Sequence, residues 1–425
     1  MNTPSFAQCL AHTGLTLEPG LEQFYLDYCR CPETGPVLNK LFLDDCAQRF
    51  GLGLPQLERM HRALEEVDAD PILAFFTRFL VKDMCSARHR CDLDDYRAMA
   101  PGCMRNRDLY SFLLLLGCVE PSMARLEHLG VPAWFYRDIP FIPMKKQFEK
   151  LAATGDGSVE DFPWDMNFYT CSIFFLDRFY FIPYRLDENI RVFRHRQTKQ
   201  VLAFYAEPLA LRRDGQLDGV NGVHDPAAVR IGYREDEDSI TGCPISPTGL
   251  LTDKCTTLCK TDWELVLQKG DILLGTHIPG GPGYTPDRLK SSLQWAADFF
   301  SRYFPEIPFK GFGSESWLYD PHLRLLLKEG SHIVQMQNQM YIYPIESGGG
   351  MLLRELFEGN EHPTQADCHS RLQYAAVARM EAGKQFTACS MFILRSDVPA
   401  VGTMPYGTQA QRQQAIAQLE AYDRS

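Results

Sequence analysis

Residues 277–300, HIPGGPGYTPDRLKSSLQWAADFF, close an apolar run with a histidine and pass three glycines and two prolines before a helix-forming stretch begins. Two kinds of chemistry fit such a segment. A helix N-terminus presents unbonded N–H groups and a partial positive charge, and glycines ahead of it let the backbone approach an anion closely. Gly280, Gly281 and Gly283 stand where a phosphate cradle needs them, and Tyr284 and Thr285 complete the loop. The same residues also serve a plain strand-to-helix turn, because glycine supplies positive φ with or without a ligand. Pro282 and Pro286 remove donors, and Asp287 sets a carboxylate in the first turn, offset by Arg288 and Lys290. The G-G-P-G spacing matches neither the G-x-G-x-x-G dinucleotide fingerprint nor the nucleoside-triphosphate loop. His277 is the residue type that exchanges protons near neutral pH. As a lone histidine at a strand end it equally suits a backbone hydrogen bond.

The elements that must hold this loop are legible around it. DILLGTHI predicts a strand, Thr285 an N-cap and Pro286 the first helical residue. Leu289, Leu293, Ala297, Phe300 and Phe304 then form one apolar stripe. FKGFGSESWLY reads as the next strand, which makes a strand–loop–helix–strand unit with a parallel crossover. DPHLRLLLKEG predicts a short helix capped by Asp320, HIVQMQNQMYIYPI a strand, RLQYAAVARMEAG a helix and FTACSMFIL a last strand, with a helical tail over 407–425. Upstream, the aromatic and β-branched runs FYTCSIFFL, FYFIPYRL, IRVFRH and VLAFYAEPLAL predict short antiparallel strands.

Residues 1–130 have a helical texture, with helices expected over Pro36–Phe50, Pro55–Val67, from Pro71 behind an Asp70 cap, over Leu109–Cys118 and over Pro121–Leu129. The chain therefore reads as α+β: a helical N-terminal domain over 1–130 and a mixed α/β domain over 131–425, with its best-supported core at 263–395.

Composition narrows the partners. The 425 residues carry a net charge of −11, which argues against nucleic acid and against an anionic membrane surface. No apolar run reaches the roughly 18 residues of a membrane span. The N-terminal residues lack a basic segment followed by an apolar one, so a cytoplasmic location is expected. The 14 cysteines are then expected as reduced thiols. The pairs Cys29/Cys31, Cys85/Cys91 and Cys255/Cys259 form no zinc-ligand frame, so no metal is expected.

Three separated signals, HIPGGPGYTPDRLKSSLQWAADFF, GFGSESWLYDPHLRLLL and GSHIVQMQ, resemble bacterial GNAT-like acyltransferase-domain proteins, clearly over about 263–340 and by domain order over the whole chain. Such proteins pair a helical N-terminal domain with a GNAT-like domain whose central sheet is mostly antiparallel. The resemblance implies an acyl-CoA co-substrate, acetyl-CoA or another, and a small-molecule or peptide amine as acceptor. It places the CoA pyrophosphate on Gly280, Gly281, Gly283, Tyr284 and Thr285.

Acyl transfer to an amine needs a base, a donor for the leaving thiolate and a donor for the oxyanion. His277 and Glu315 are the candidate bases, and Tyr319 is the candidate acid at a position where such enzymes carry tyrosine. Ser314 and Ser316 are candidates for orienting substrate. Each of these has a plain structural alternative, as a strand-end, exposed-strand or packing residue. The loop lacks the leading Arg or Gln usual in that family, so a catalytically silent binding module with the same fold is the alternative reading. A serine hydrolase is disfavoured, because GFGSESW is not G-x-S-x-G.

Overall fold

The computed structural model describes residues 3–424 apart from 19, 91–95 and 97–98. The Cys85/Cys91 pair, expected to hold no metal, therefore lies partly outside the described residues. Two compact units divide the chain, Met1–Phe175 and Leu176–Ser425. Helices thus run on past residue 130, through Phe141–Thr154 and Phe162–Tyr169. The residues Phe168 and Tyr169, read as the start of a strand, end that last helix.

The first unit is helical because its apolar residues repeat at helical spacing and its caps are in place. Asp70 accepts hydrogen bonds from the N–H groups of Ile72 and Leu73, and Pro71 opens the helix Pro71–Met84. The two helices expected on either side of Pro121 are one, Tyr110–His128. Proline removes one ladder hydrogen bond, and the loss is tolerated where leucines and Phe112 bury most of the preceding turns. Residues Arg107–His128 are long and apolar enough to cross a membrane by length and composition alone, but they are largely buried inside this unit as its core helix.

The second unit is built on a six-stranded sheet. Its strands are β1 (Phe174–Leu176), β2 (Phe179–Arg185), β3 (Ile272–His277), β4 (Gly311–Ser316), β5 (Tyr341–Pro344) and β6 (Cys389–Leu394). The order is β1-β2-β3-β4-β6-β5. Only β3 and β4 are parallel; β2 with β3, β4 with β6 and β5 with β6 are antiparallel. The helix Pro286–Tyr303 makes the expected crossover from β3 to β4. Its Phe300 meets Phe309, which meets Phe312 of β4, which meets Phe181 of β2. This places the helix on the sheet face that carries Phe181, Leu274 and Phe312. A second sheet, with strands Ile190–His195, Val201–Tyr205 and Trp263–Gln268 at its centre and one edge, packs with the first through Val192, Ala203, Tyr341 and Phe392.

Three local readings change. His332–Gln337 is a short helix rather than the start of a strand, because Ser331 Oγ accepts from the Val334 N–H and caps it; the strand begins only at Tyr341. Asp320 does not cap the Leu323–Leu326 helix. It is buried, with one carboxylate oxygen on the His322 N–H and ring and the other on the Thr387 N–H. Cys243 and Cys255 form a disulfide, against the expectation of free thiols. The strands Ser239–Gly242 and Thr256–Cys259 pair with Gly242 opposite Thr256, so the two cysteines face each other across the hairpin, which a spacing of 12 residues did not reveal.

Strand spacing in the main sheet depends on glycine at Gly311, where an added Cβ would collide with Ile393 O and stand 3.1 Å from Leu394 Cα. Backbone cannot retreat cheaply, so Gly311→Ala should destabilise the protein by about 2–4 kcal/mol. Gly330→Ala, where nothing lies within 4 Å, is the control and should stay within about 0.5 kcal/mol. Denaturant midpoints measure both, and equal midpoints for the two variants would refute this account of β4.

Candidate functional site at the parting of two parallel strands

β3 and β4 pair only at Leu273–Gly311, Leu274–Phe312 and Gly275–Gly313. Beyond that they separate. β3 continues against β2 as far as His277 opposite Tyr180, and β4 continues against β6 as far as Ser316 opposite Cys389. Each strand is thus held by its outer neighbour while the inner edges part, leaving a fork in the sheet at the mouth of the glycine loop.

The loop takes its shape from a residue that the sequence reading passed over. Arg178 lies in the turn between β1 and β2 and is only 7% exposed. Its Nε donates to the carbonyl of Pro282 at 2.8 Å, and one terminal nitrogen donates to the carbonyls of Pro279 at 2.7 Å and Gly281 at 3.0 Å. Its own N–H donates to Ser292 Oγ in the following helix. Neighbouring Asp177 accepts from the Ser291 and Ser292 hydroxyls and pairs with Arg288 at 2.9 Å. With the Pro279 and Pro282 carbonyls turned toward the guanidinium, the Gly280 and Gly283 N–H groups across the same peptide planes turn away from it; the plane after Gly281 ends at Pro282 and has no N–H. Among the described residues, none accepts from the N–H of Gly280, Gly281, Gly283 or Tyr284.

Gly281 and Gly283 hold φ of 100° and 95°, in the region that favours glycine. A Cβ on Gly283 would press on Arg178 at 3.3 Å. Thr285 occupies the N-cap position with extended backbone, but its hydroxyl makes no capping bond, contrary to the expectation. The first turn of the Pro286–Tyr303 helix therefore keeps its donors open as well.

The candidate proton-transfer residues fall on two sides of the fork. Gly275 is opposite Gly313, and His277 and Glu315 each lie two residues further, so both belong to one face of the sheet. Glu315 is exposed and stands opposite Ser390 of β6. Ser390 in turn donates to Glu188 at 3.0 Å. The His277 side chain keeps an exposed surface. The protein crowded around it nevertheless lowers its pKa to about 4 by desolvation. The direction of the shift follows from that crowding. The imidazole is consequently neutral at pH 7.

Tyr319 is 1% exposed and ends the turn Trp317–Tyr319 that follows β4. Burial raises its pKa to about 12, with the Ser314 and Tyr284 hydroxyls pulling the other way. It is therefore protonated at neutral pH and able to donate. Ser314 and Tyr319 belong with the helix-covered face, as does Tyr284, whose ring meets Phe179. Ser316 is buried and caps the Trp317–Tyr319 turn by accepting from the Leu318 N–H, a structural task.

Outside this site, His12, Asp70 and Cys103 bring potential ligand atoms within 4.8 Å of one another. Asp70 is already engaged there by His12 at 2.5 Å and by the helix N-terminus that it caps.

Comparison with known proteins agrees with this architecture. The solved structure of an acyltransferase mutant in complex with octanoyl-CoA is 16% identical, with a TM-score of 0.50 over 92% of this chain and 99% of its own. An acyltransferase in complex with decanoyl-CoA is 20% identical, with a TM-score of 0.47 over 82% of this chain and 86% of its own. These identities make the likeness one of fold. None of the curated proteins compared with the chain matches it. The family described as the GNAT-like C-terminal domain matches residues 173–392, just over half of the chain and the whole of the six-stranded sheet but for two residues of β6. The chain belongs to that GNAT-like family.

Proposed function

We propose that this protein transfers an acyl group from acyl-CoA to an amine, with residues 280–285 as the pyrophosphate cradle. The observation that carries the reading is the Arg178 clamp. It fixes a loop whose Gly280 and Gly283 N–H groups face away from the clamp without acceptors, directly before a helix N-terminus with an unused cap. Arg178 is a nearly buried cation whose hydrogen-bond partners are neutral carbonyls and a serine hydroxyl, so its charge adds to that of the helix dipole. A diphosphate offers several oxygens to such a donor set.

In this reading the thioester enters the fork between β3 and β4. The amine arrives on the face of His277 and Glu315, and the sulfur departs on the side of Tyr319. His277, or Glu315, takes the proton of the attacking amine, and Tyr319 protonates the thiolate. Free CoA and acyl-CoAs from acetyl to decanoyl should bind in calorimetric titration. Binding should be lost in Gly281→Val, whose added Cβ meets no atom within 4 Å but whose backbone at φ 100° excludes a β-branched residue. Arg178→Met keeps an unbranched apolar stem and removes the charge and the donors. It should weaken CoA binding about tenfold or more while the far-UV dichroism of the sheet persists. Unchanged CoA affinity in both variants would remove the cradle, and absence of binding by the wild type would leave the silent binding module as the reading.

The state of His277 is testable without knowing the acceptor. Its ring proton signal, assigned by its absence in His277→Gln, should titrate with a midpoint near 4 rather than at the ordinary 6.5. The sign follows: the fold favours the neutral ring, so stability from this group is fully present above about pH 6.5 and is lost as the pH falls toward 4. A midpoint at 6.5 or above would mean that the ring is not desolvated.

A further inference from the structure

Two buried hydroxyls at the fork have no partner. Thr276 is 3% exposed, and its Oγ1 makes no hydrogen bond. It is the β3 residue immediately past the last β3–β4 pair, on the face that carries Leu274 and Phe181. Tyr284 Oη is likewise buried without a hydrogen bond. It lies near enough to Tyr319 for the two hydroxyls to bias each other's ionisation, yet not in hydrogen-bond geometry. Buried polar atoms are paired in the great majority of cases, and an exception beside a candidate site is where a ligand atom would supply the partner. Thr276 stands just before the glycine loop and Tyr284 near its end, so the two exceptions bracket the loop beside the place where the strands part.

Resting on the acyl-CoA reading, we propose that the Thr276 and Tyr284 hydroxyls donate to the carbonyl oxygen of the bound thioester and hold its charge during transfer. The amine lone pair attacks the carbonyl carbon and forms the C–N bond, and the C=O π pair moves to oxygen, which the two O–H groups stabilise. Collapse re-forms C=O and breaks C–S. The sulfur keeps that pair and takes a proton from Tyr319, while the proton of the amine leaves to the base on the opposite face. Solvent returns a proton to Tyr319, and the net change is thioester plus amine to amide plus free thiol. Donors preset in a site closed to water need no reorganisation as the charge develops. The raised pKa of Tyr284, caused first by burial, keeps this donor protonated.

The test separates the carbonyl from the rest of CoA. Two unreactive compounds are titrated calorimetrically: a ketone analogue with methylene in place of sulfur, which keeps the carbonyl, and an alkyl thioether of CoA, which lacks it. Thr276→Val and Tyr284→Phe should each weaken the ketone analogue about tenfold and leave the thioether unchanged. Thr276→Ser, which restores the hydroxyl, should recover the ketone affinity. If the variants weaken both compounds equally, or neither, the hydroxyls are not carbonyl donors and the proposal is overturned. If the wild type binds free CoA but does not prefer the ketone over the thioether, the proposal falls while the acyl-CoA reading stands. If it binds none of the three, both fall together.

Discussion

The guanidinium of Arg178 is the contact on which the geometry of the site depends. A loop of glycines and prolines between a strand and a helix has no ladder to define it, and each glycine costs more backbone entropy to fix than any other residue. One planar group with donors in a fixed fork gathers three carbonyls of that loop at once. This sets the direction of the peptide planes that follow Pro279, Gly281 and Pro282, and with it the side on which the Gly280 and Gly283 N–H groups emerge. Asp177 and the serines at 291 and 292 fasten the same turn to the helix. The loop, the helix start and the β1–β2 turn therefore form one rigid corner, and positive φ at Gly281 and Gly283 is a condition of its shape.

The sheet supplies the second constraint. Parallel strands that pair for three residues and then part leave unpaired backbone edges between the two faces. A continuous sheet would put His277 and Glu315 on one side and Tyr319 with Tyr284 on the other, out of reach of one another. The fork removes that barrier at one place. On the proposed reading, a base and an acid separated in this way would act on opposite ends of one carbonyl without neutralising each other. Their shifted pKa values point the same way, since crowding leaves His277 without its proton and burial leaves Tyr319 with its own.

Much of this was legible in the sequence, and the remainder failed for identifiable reasons. The strand, glycine loop and helix from 271 to 303 could be read directly, because apolar period, cap position and glycine placement are local signals. The parallel β3–β4 crossover followed from them. Arg178 could not be read, since D-R-F marks only a turn and its acceptors lie a hundred residues further on. Thr276 was invisible for a related reason: a threonine in a strand is ordinary, and only the end of the β3–β4 pairing leaves its hydroxyl without a partner. The strand expected from His332 onward failed because a single serine cap outweighed the apolar pattern of HIVQMQ. The helix break expected near Pro121 failed because tertiary burial overrode the local penalty of proline.

Charge places a last condition on how such a site works. The chain as a whole carries −11, which repels a polyanion such as CoA at a distance, yet the nearly buried Arg178 guanidinium has only neutral hydrogen-bond partners at the loop. These two effects respond differently to salt. The long-range repulsion is screened beyond about 8 Å at physiological ionic strength, whereas hydrogen bonds from backbone N–H groups beside a nearly buried guanidinium are screened far less. Association at such a loop is therefore governed by contact geometry rather than by steering. That is consistent with a cradle made from the peptide backbone, fixed in place before any ligand arrives, and not from a surface of lysines.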